Sequence, residues 1–118
     1  MNKAFDWLAG HWSSIDFVVH ALAFSDKSEL KGPYYNTTRQ NFTDTMMVSA
    51  FSFTEVAQAA RHMMPDGGAL LTLSYIGAQR ISPNYNVMGV AKAALESSVR
   101  YLSLIHISEA HETEENLV

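Results

Sequence analysis

Residues 69–102, ALLTLSYIGAQRISPNYNVMGVAKAALESSVRYL, constrain this chain more than any other stretch. Leu70 to Tyr75 is a short apolar run after the turn Pro65-Asp66-Gly67-Gly68, which predicts a strand covered on both faces. Gly77 to Pro83 breaks the run. From Asn84 the apolar positions Val87, Val90, Ala91, Ala94, Leu95, Val99 and Leu102 recur at three- and four-residue spacing, which predicts a helix. Tyr85 and Lys92 stand seven residues apart near its start. At ~100° per residue, seven steps return nearly to one face, two turns along the axis. A phenol and an ammonium then share a face just past the carboxyl end of a buried strand, where open α/β sheets place ligands. The lysine charge is expected to favour the phenolate. The plainer alternative is a tyrosine packed at a helix start and a solvated lysine.

Upstream, Phe5, Leu8, Ala9 and Trp12 give Asn2–Trp12 the spacing of a short amphipathic helix. Ile15–Leu22 is β-branched and apolar, as a buried strand is. His20 within it reads as a hydrogen-bonded core residue rather than a base. Ala23–Gln40 is a polar loop, longer than the usual connection, and such loops often carry function. Asn41–Met64 is a second helix with the stripe Phe42, Met46, Ser49/Ala50, Phe53, Ala57, Ala60 and Met64. Met47, Phe51 and Val56 lie outside the stripe, so one face covers the sheet and another suits a partner subunit. Alternating helices and strands predict an α/β fold with a parallel sheet.

With 8 basic residues against 12 acidic ones, the chain has no basic stripe for nucleic acid. There is no cysteine, hence no disulfide or thiolate metal site. The N-terminus is too polar for a signal peptide and no run reaches membrane-spanning length, so no membrane association is expected. In the acidic end, His106, Glu109, His111 and Glu112 match no metal-ligand spacing, and no metal is expected.

The pattern Tyr75-(x)9-Tyr85-(x)6-Lys92 within LLTLSYIGAQRISPNYNVMGVAKAALE closely resembles the bacterial NADH-dependent enoyl-acyl-carrier-protein reductases. These are a divergent branch of the short-chain dehydrogenase/reductases, whose ordinary members have Tyr-x3-Lys. The resemblance runs upstream through DFVVHALAFSDKSELKGPYYNTTRQNF and FSFTEVAQAA and covers roughly Asp6 to Leu102. It implies a partial Rossmann-like, doubly wound parallel sheet, with the central strands and helices present and the first and last βα units missing. It implies a cytoplasmic enzyme of fatty acid biosynthesis that reduces trans-2-enoyl thioesters on acyl carrier protein with NADH. Tyr85 would stabilise the enolate and Tyr75 would line the acyl pocket and assist. Lys92 would bind the nicotinamide ribose, and Leu22 would contact NAD. Ser25 and Met88 would lie at the substrate. The helix at 41–64 and the Tyr85–Lys92 helix would build the main interface of a homo-oligomer, a tetramer in that family.

After Leu102 the resemblance stops, and residues 103–118 read as a solvated acidic tail. No glycine-rich phosphate turn is present, because Gly67-Gly68 precedes a strand. The expectation is therefore a fragment of the domain, marginally folded or oligomerising when isolated. Two rival readings follow: an inactive fragment that associates through its apolar helices, and an ordinary short-chain dehydrogenase. The absence of Tyr-x3-Lys at Tyr75 and Tyr85 speaks against the latter.

Overall fold

In the computed structural model, which describes residues 2–104 and 109–114, the elements alternate as the sequence predicts. Helix α1 spans Asn2–Ala9 and strand β1 Phe17–His20. Helix α2 (Arg39–Met46) runs through one π turn, Met47–Phe51, into α3 (Ser52–Ala60). Strand β2 is Ala69–Ser74 and helix α4 is Asn86–Ser103. A third strand, β3, spans Glu109–Glu114. The sheet is parallel throughout, in the order β1-β2-β3, with Val18 opposite Leu70 and His20 opposite Thr72.

Val18, His20, Leu70, Thr72 and Ser74 point to one face, and that face takes the helices. Its core is Ala50, Phe53, Ala57, Ala60 and Met64 of the second helical run, with Leu70, Leu95 and Val99; Phe5 of α1 packs against it. The opposite face carries Phe17 and Val19, 65% and 54% exposed. The expectation of a strand covered on both faces is thus corrected for this chain. Among the described residues, the helices that pack on the sheet lie on one side of it, and β2 alternates between buried and half-buried residues.

Two further differences have backbone causes. Glu109–Glu114, expected within a solvated tail, lies along the edge of β2, from Ala69 opposite Glu109 to Ser74 opposite Glu114. An open strand edge recruits backbone donors and acceptors whatever the side chains, and the α4 crossover returns the chain parallel to β2. Residues 105–108 and 115–118, with His106 of the acidic end, lie outside the described residues. At the sheet entrance the chain closes tightly, since Ala69 N donates to Asp16 O at 3.1 Å. A Cβ on Gly68 would stand 2.7 Å from that same Asp16 oxygen, so only glycine fits there.

The long helix departs from its predicted stripe at the π turn. From Ala50 onward the apolar face is buried as expected, and Val56, expected outside it, is buried too. Before the turn and into it the buried face is polar: Asn41 and Thr45 of α2 and Ser49 within the turn are at most 5% exposed, while Phe42 is 38% exposed. A π turn takes one extra residue and so shifts the phase of the face. The three polar side chains, four residues apart, hold the segment after β1. Asp26 N donates to Asn41 Oδ1 (2.9 Å) and Thr45 Oγ1 to Ser25 Oγ (3.0 Å). Ser49 Oγ accepts from Phe24 N (2.9 Å) and donates to Phe24 O (3.1 Å). Ser49→Ala leaves both backbone groups of Phe24 without that partner. Its expected cost is about 1–3 kcal/mol in urea unfolding. An unchanged midpoint would show that the segment is held by other contacts.

Candidate active site

The carboxyl ends of β1 and β2 open onto a cavity of about 300 Å3. Ala21, Leu22 and Ala23 line it from the end of β1, and Leu73, Ser74 and Tyr75 from the end of β2. Tyr85, Met88 and Lys92 line it from α4, and Leu30 from the long loop. The helical spacing therefore does what seven steps at ~100° require: the phenol and the ammonium reach one cavity. Of the six residues singled out in the sequence, Leu22, Tyr75, Tyr85, Met88 and Lys92 meet here. Ser25 does not. It accepts hydrogen bonds from Thr45 Oγ1 (3.0 Å) and Asn41 Nδ2 (3.3 Å) and lines a separate hollow with Asp26, Glu29 and Asp44.

The start of α4 is set by two asparagines in the left-handed region, Asn84 (φ 57°) and Asn86 (φ 35°), a conformation that asparagine tolerates better than most residues. This turn delays the helix to Asn86, two residues after its expected start. Asn86 Nδ2 also donates to the carbonyls of Glu29 and Gly32, each at 3.0 Å, fastening the long loop over the helix. The Tyr85 ring then lies against Gly77. A Cβ on Gly77 would stand 2.4 Å from Tyr85 Cδ2, and one on Gly89 would stand 3.3 Å from the same atom. The rings of Tyr75 and Tyr85 are 5.0 Å apart and tilted by 60°. Beyond Tyr85 is a second, wider hollow bordered by Gly77, Gln79 and Gly89.

Lys92 is 8% exposed, and its Nζ donates to Leu73 O at 3.0 Å. Buried ammonium groups need such partners. The expected phenolate is not what the site favours. Burial, and then the neighbouring Tyr75, push the Tyr85 phenol up to about 12. Desolvation penalises the charged form, so Tyr85 holds its proton at neutral pH and is a hydrogen-bond donor.

His20, beneath the cavity, is the core residue the sequence suggested. Its Nδ1 lies 2.8 Å from Thr72 Oγ1 and its Nε2 2.7 Å from Ser52 Oγ. Ser52 Oγ gives its own proton to Val48 O (2.6 Å), so it accepts from a protonated Nε2, and Nδ1 accepts from Thr72. Burial, and then the Lys92 charge, lower its pKa from the usual 6.5. The unfolded chain thus binds this proton more readily than the folded one. His20's contribution is complete above about pH 6.5 and falls as pH drops toward the depressed folded value. One proton limits the slope to about 1.4 kcal/mol per pH unit. In urea unfolding between pH 7 and 5, His20→Gln is expected to flatten this dependence; an unchanged slope would assign it to other groups.

Sequence reading did not single out Glu96, which is 3% exposed and receives Ser74 Oγ (2.6 Å) and Gln79 Nε2 (3.2 Å). Its position four residues beyond Lys92, on the same helical face, was the available signal.

With this geometry in hand, the comparisons with known proteins agree. The family model described as enoyl-(acyl carrier protein) reductase matches residues 1–109, beyond the point where the motifs end. The enoyl-[acyl-carrier-protein] reductase [NADH] 2 of Rhizobium meliloti (strain 1021) is 61% identical over 103 residues, covering 87% of this chain and 38% of that protein. The chain thus spans about two fifths of the length of such relatives. A solved enoyl-(acyl-carrier-protein) reductase from Anaplasma phagocytophilum, in complex with NAD, has a TM-score of 0.96 at 48% identity, covering 99% of this chain and 46% of that one. The enoyl-[acyl-carrier-protein] reductase (NADH) of Aquifex aeolicus VF5 gives 0.94 at 37% identity, covering 99% and 48%. This chain, a partial Rossmann-like α/β fold with a tyrosine pair and a lysine at the carboxyl edge of its sheet, belongs to the enoyl-(acyl carrier protein) reductase family.

Proposed function

We propose that the protein this chain represents reduces trans-2-enoyl thioesters carried on acyl carrier protein, with NADH as reductant. One observation supports it most: a protonated Tyr85, its ring beside Tyr75, and the buried Lys92 ammonium converge on one cavity at the strand ends. The cavity suits one end of a nicotinamide nucleoside. Ala21, Leu22 and Ala23 offer an apolar wall for a flat ring, and Lys92 brings a cation fixed by Leu73 O to the polar side. When bound there, NADH would supply the hydride that adds to the β carbon, becoming NAD+, and a proton taken up from solvent at the α carbon would complete the reduction.

Negative charge then develops on the thioester oxygen, and a donor aimed at that oxygen lowers the barrier. Tyr85 fills this role as a neutral phenol; a phenolate would repel the developing charge. Lys92 holds the ribose hydroxyls and adds positive charge near the reacting end. Met88 and Tyr75 border the acyl chain, with Tyr75 fixing the Tyr85 ring from the side. Ser25 acts from outside this cavity by holding the segment after β1, which carries Leu22. The test is NADH consumption by the 118-residue chain with a short enoyl thioester and, separately, NADH binding. Turnover supports the reading. Loss of both turnover and NADH binding would leave these residues without the activity.

A second reading rests on the exposed apolar residues Met47, Phe51 and Val90, 48%, 47% and 39% exposed, on the outer faces of the π turn and α4. On this reading the chain self-associates through these helices, as a homo-oligomer of the active protein or as an inactive piece. Sedimentation at several concentrations distinguishes a monomer from either. A cytoplasmic setting goes with the same proposal; no helix among the described residues is long and apolar enough to cross a membrane.

A further inference from the structure

We propose that Glu96 is a positioning residue that sets the Tyr75–Tyr85 pair, by fastening both ends of the short segment that carries Tyr75 and Gly77. The activity part of this inference rests on the function proposed above; the geometric part does not. A carboxylate buried to 3% exposure is costly unless its oxygens are satisfied, and both are. Glu96 Oε2 accepts from Ser74 Oγ at 2.6 Å, and Oε1 accepts from Gln79 Nε2 at 3.2 Å. Ser74 ends β2, and Gln79 follows the helical turn Ile76–Ala78. The two bonds therefore bracket Tyr75–Ala78 and draw the segment onto α4.

Two groups that meet the Tyr85 ring lie inside the bracket. Tyr75 is there, with its ring 5.0 Å away. So is Gly77, whose backbone approaches so closely that a Cβ would overlap the Tyr85 ring. The same approach puts Gly77 O 2.9 Å from where a Cβ of Gly89 would stand. Closeness of this kind leaves the segment no tolerance: if either end loosens, Tyr75 and Gly77 move off the ring together. Glu96 fixes the wall against which Tyr85 is aimed.

The experiment uses the full 118-residue chain with ring-labelled tyrosine, comparing wild type, Glu96→Ala and Glu96→Gln. Ring-to-ring nuclear Overhauser effects between Tyr75 and Tyr85 are read beside the kinetics of NADH-dependent enoyl thioester reduction. Wild type is expected to show the ring contacts. Glu96→Ala is expected to lose them and to lower kcat by roughly 10- to 100-fold with little change in the KM for NADH, the signature of a misplaced group. Glu96→Gln is expected to restore both readouts, because an amide accepts from Ser74 and donates to a turned Gln79 amide. Ring contacts and kcat unchanged in folded Glu96→Ala would overturn the proposal. If Glu96→Ala does not fold, Gln79→Ala, which releases only the outer end, decides instead: weakened ring contacts support the inference and unchanged contacts overturn it. A wild-type chain without turnover would defeat the functional reading alone, and the ring contacts would still decide the role of Glu96.

Discussion

Tyr85→Phe is expected to reduce kcat for NADH-dependent enoyl thioester reduction about 100- to 1,000-fold, the usual cost of removing one donor to a developing oxyanion. NADH binding should change by less than about twofold, because Lys92 and the wall around Leu22 are left in place. The substitution isolates the hydroxyl. A phenyl ring keeps the contacts with Gly77, Gly89 and Tyr75 that hold Tyr85 at the cavity. The same variant tests the proton. In wild type, burial, and then the neighbouring Tyr75, lift the Tyr85 phenol to about 12. Alkaline titration of phenolate absorbance is expected to lose a late-ionising component in Tyr85→Phe. The stability consequence follows in sign. The folded chain keeps this proton where the unfolded chain loses it, so the contribution is complete below about pH 10 and is lost as pH rises toward 12. A variant with wild-type turnover would remove Tyr85 from the chemistry, whatever its position.

Gly77→Ala should damage the site nearly as much without touching a polar atom. Gly77 is not among the residues with positive φ, so alanine has no backbone penalty there. Space is the obstacle. The added Cβ would lie 2.4 and 2.6 Å from two ring carbons of Tyr85 and 3.2 Å from Tyr75 Cδ2. The ring must swing away, and the close passage of Gly77 O beside Gly89 restricts how the segment relaxes. A displacement of about 1 Å at a reacting group costs on the order of 100-fold in rate, and overpacking typically costs about 1–3 kcal/mol. Steady-state kinetics together with a thermal melt check both. Near-wild-type turnover would mean that the Tyr85 ring has room the structure does not show.

These two residues also mark how far the sequence reaches. Tyr85 and Lys92 were legible because helical periodicity is local: their shared face follows from seven steps along one helix. The Tyr-x6-Lys spacing, set in its surrounding motif, carried the family as well. Gly77 was legible only as a break after a strand. What fills its missing side chain is the ring of a residue on the next element, and no local pattern encodes that.

Ser25 shows the opposite case. The resemblance places it at the substrate, but the cavity does not include it, because Asn41 and Thr45 of α2 take its hydroxyl. Neither helix residue belongs to the apolar stripe expected for that helix. They are buried because the segment after β1 brings unpaired backbone groups against them, and the π turn rotates the helix to meet it.

By itself, the sequence determined the order of helices and strands, the parallel sheet, the family and the face shared by Tyr85 and Lys92. Each of these depends on spacing along the chain or on a motif within it. Only the tertiary structure decided that the helices cover one face of the sheet, that Glu109–Glu114 joins its edge, and that Asn41, Thr45, Ser49 and Glu96 are buried. It also decided that Tyr85 keeps its proton. The reason is the same in each case. Burial of a polar group depends on partners far away in sequence, and a pKa depends on how much water the assembled walls exclude.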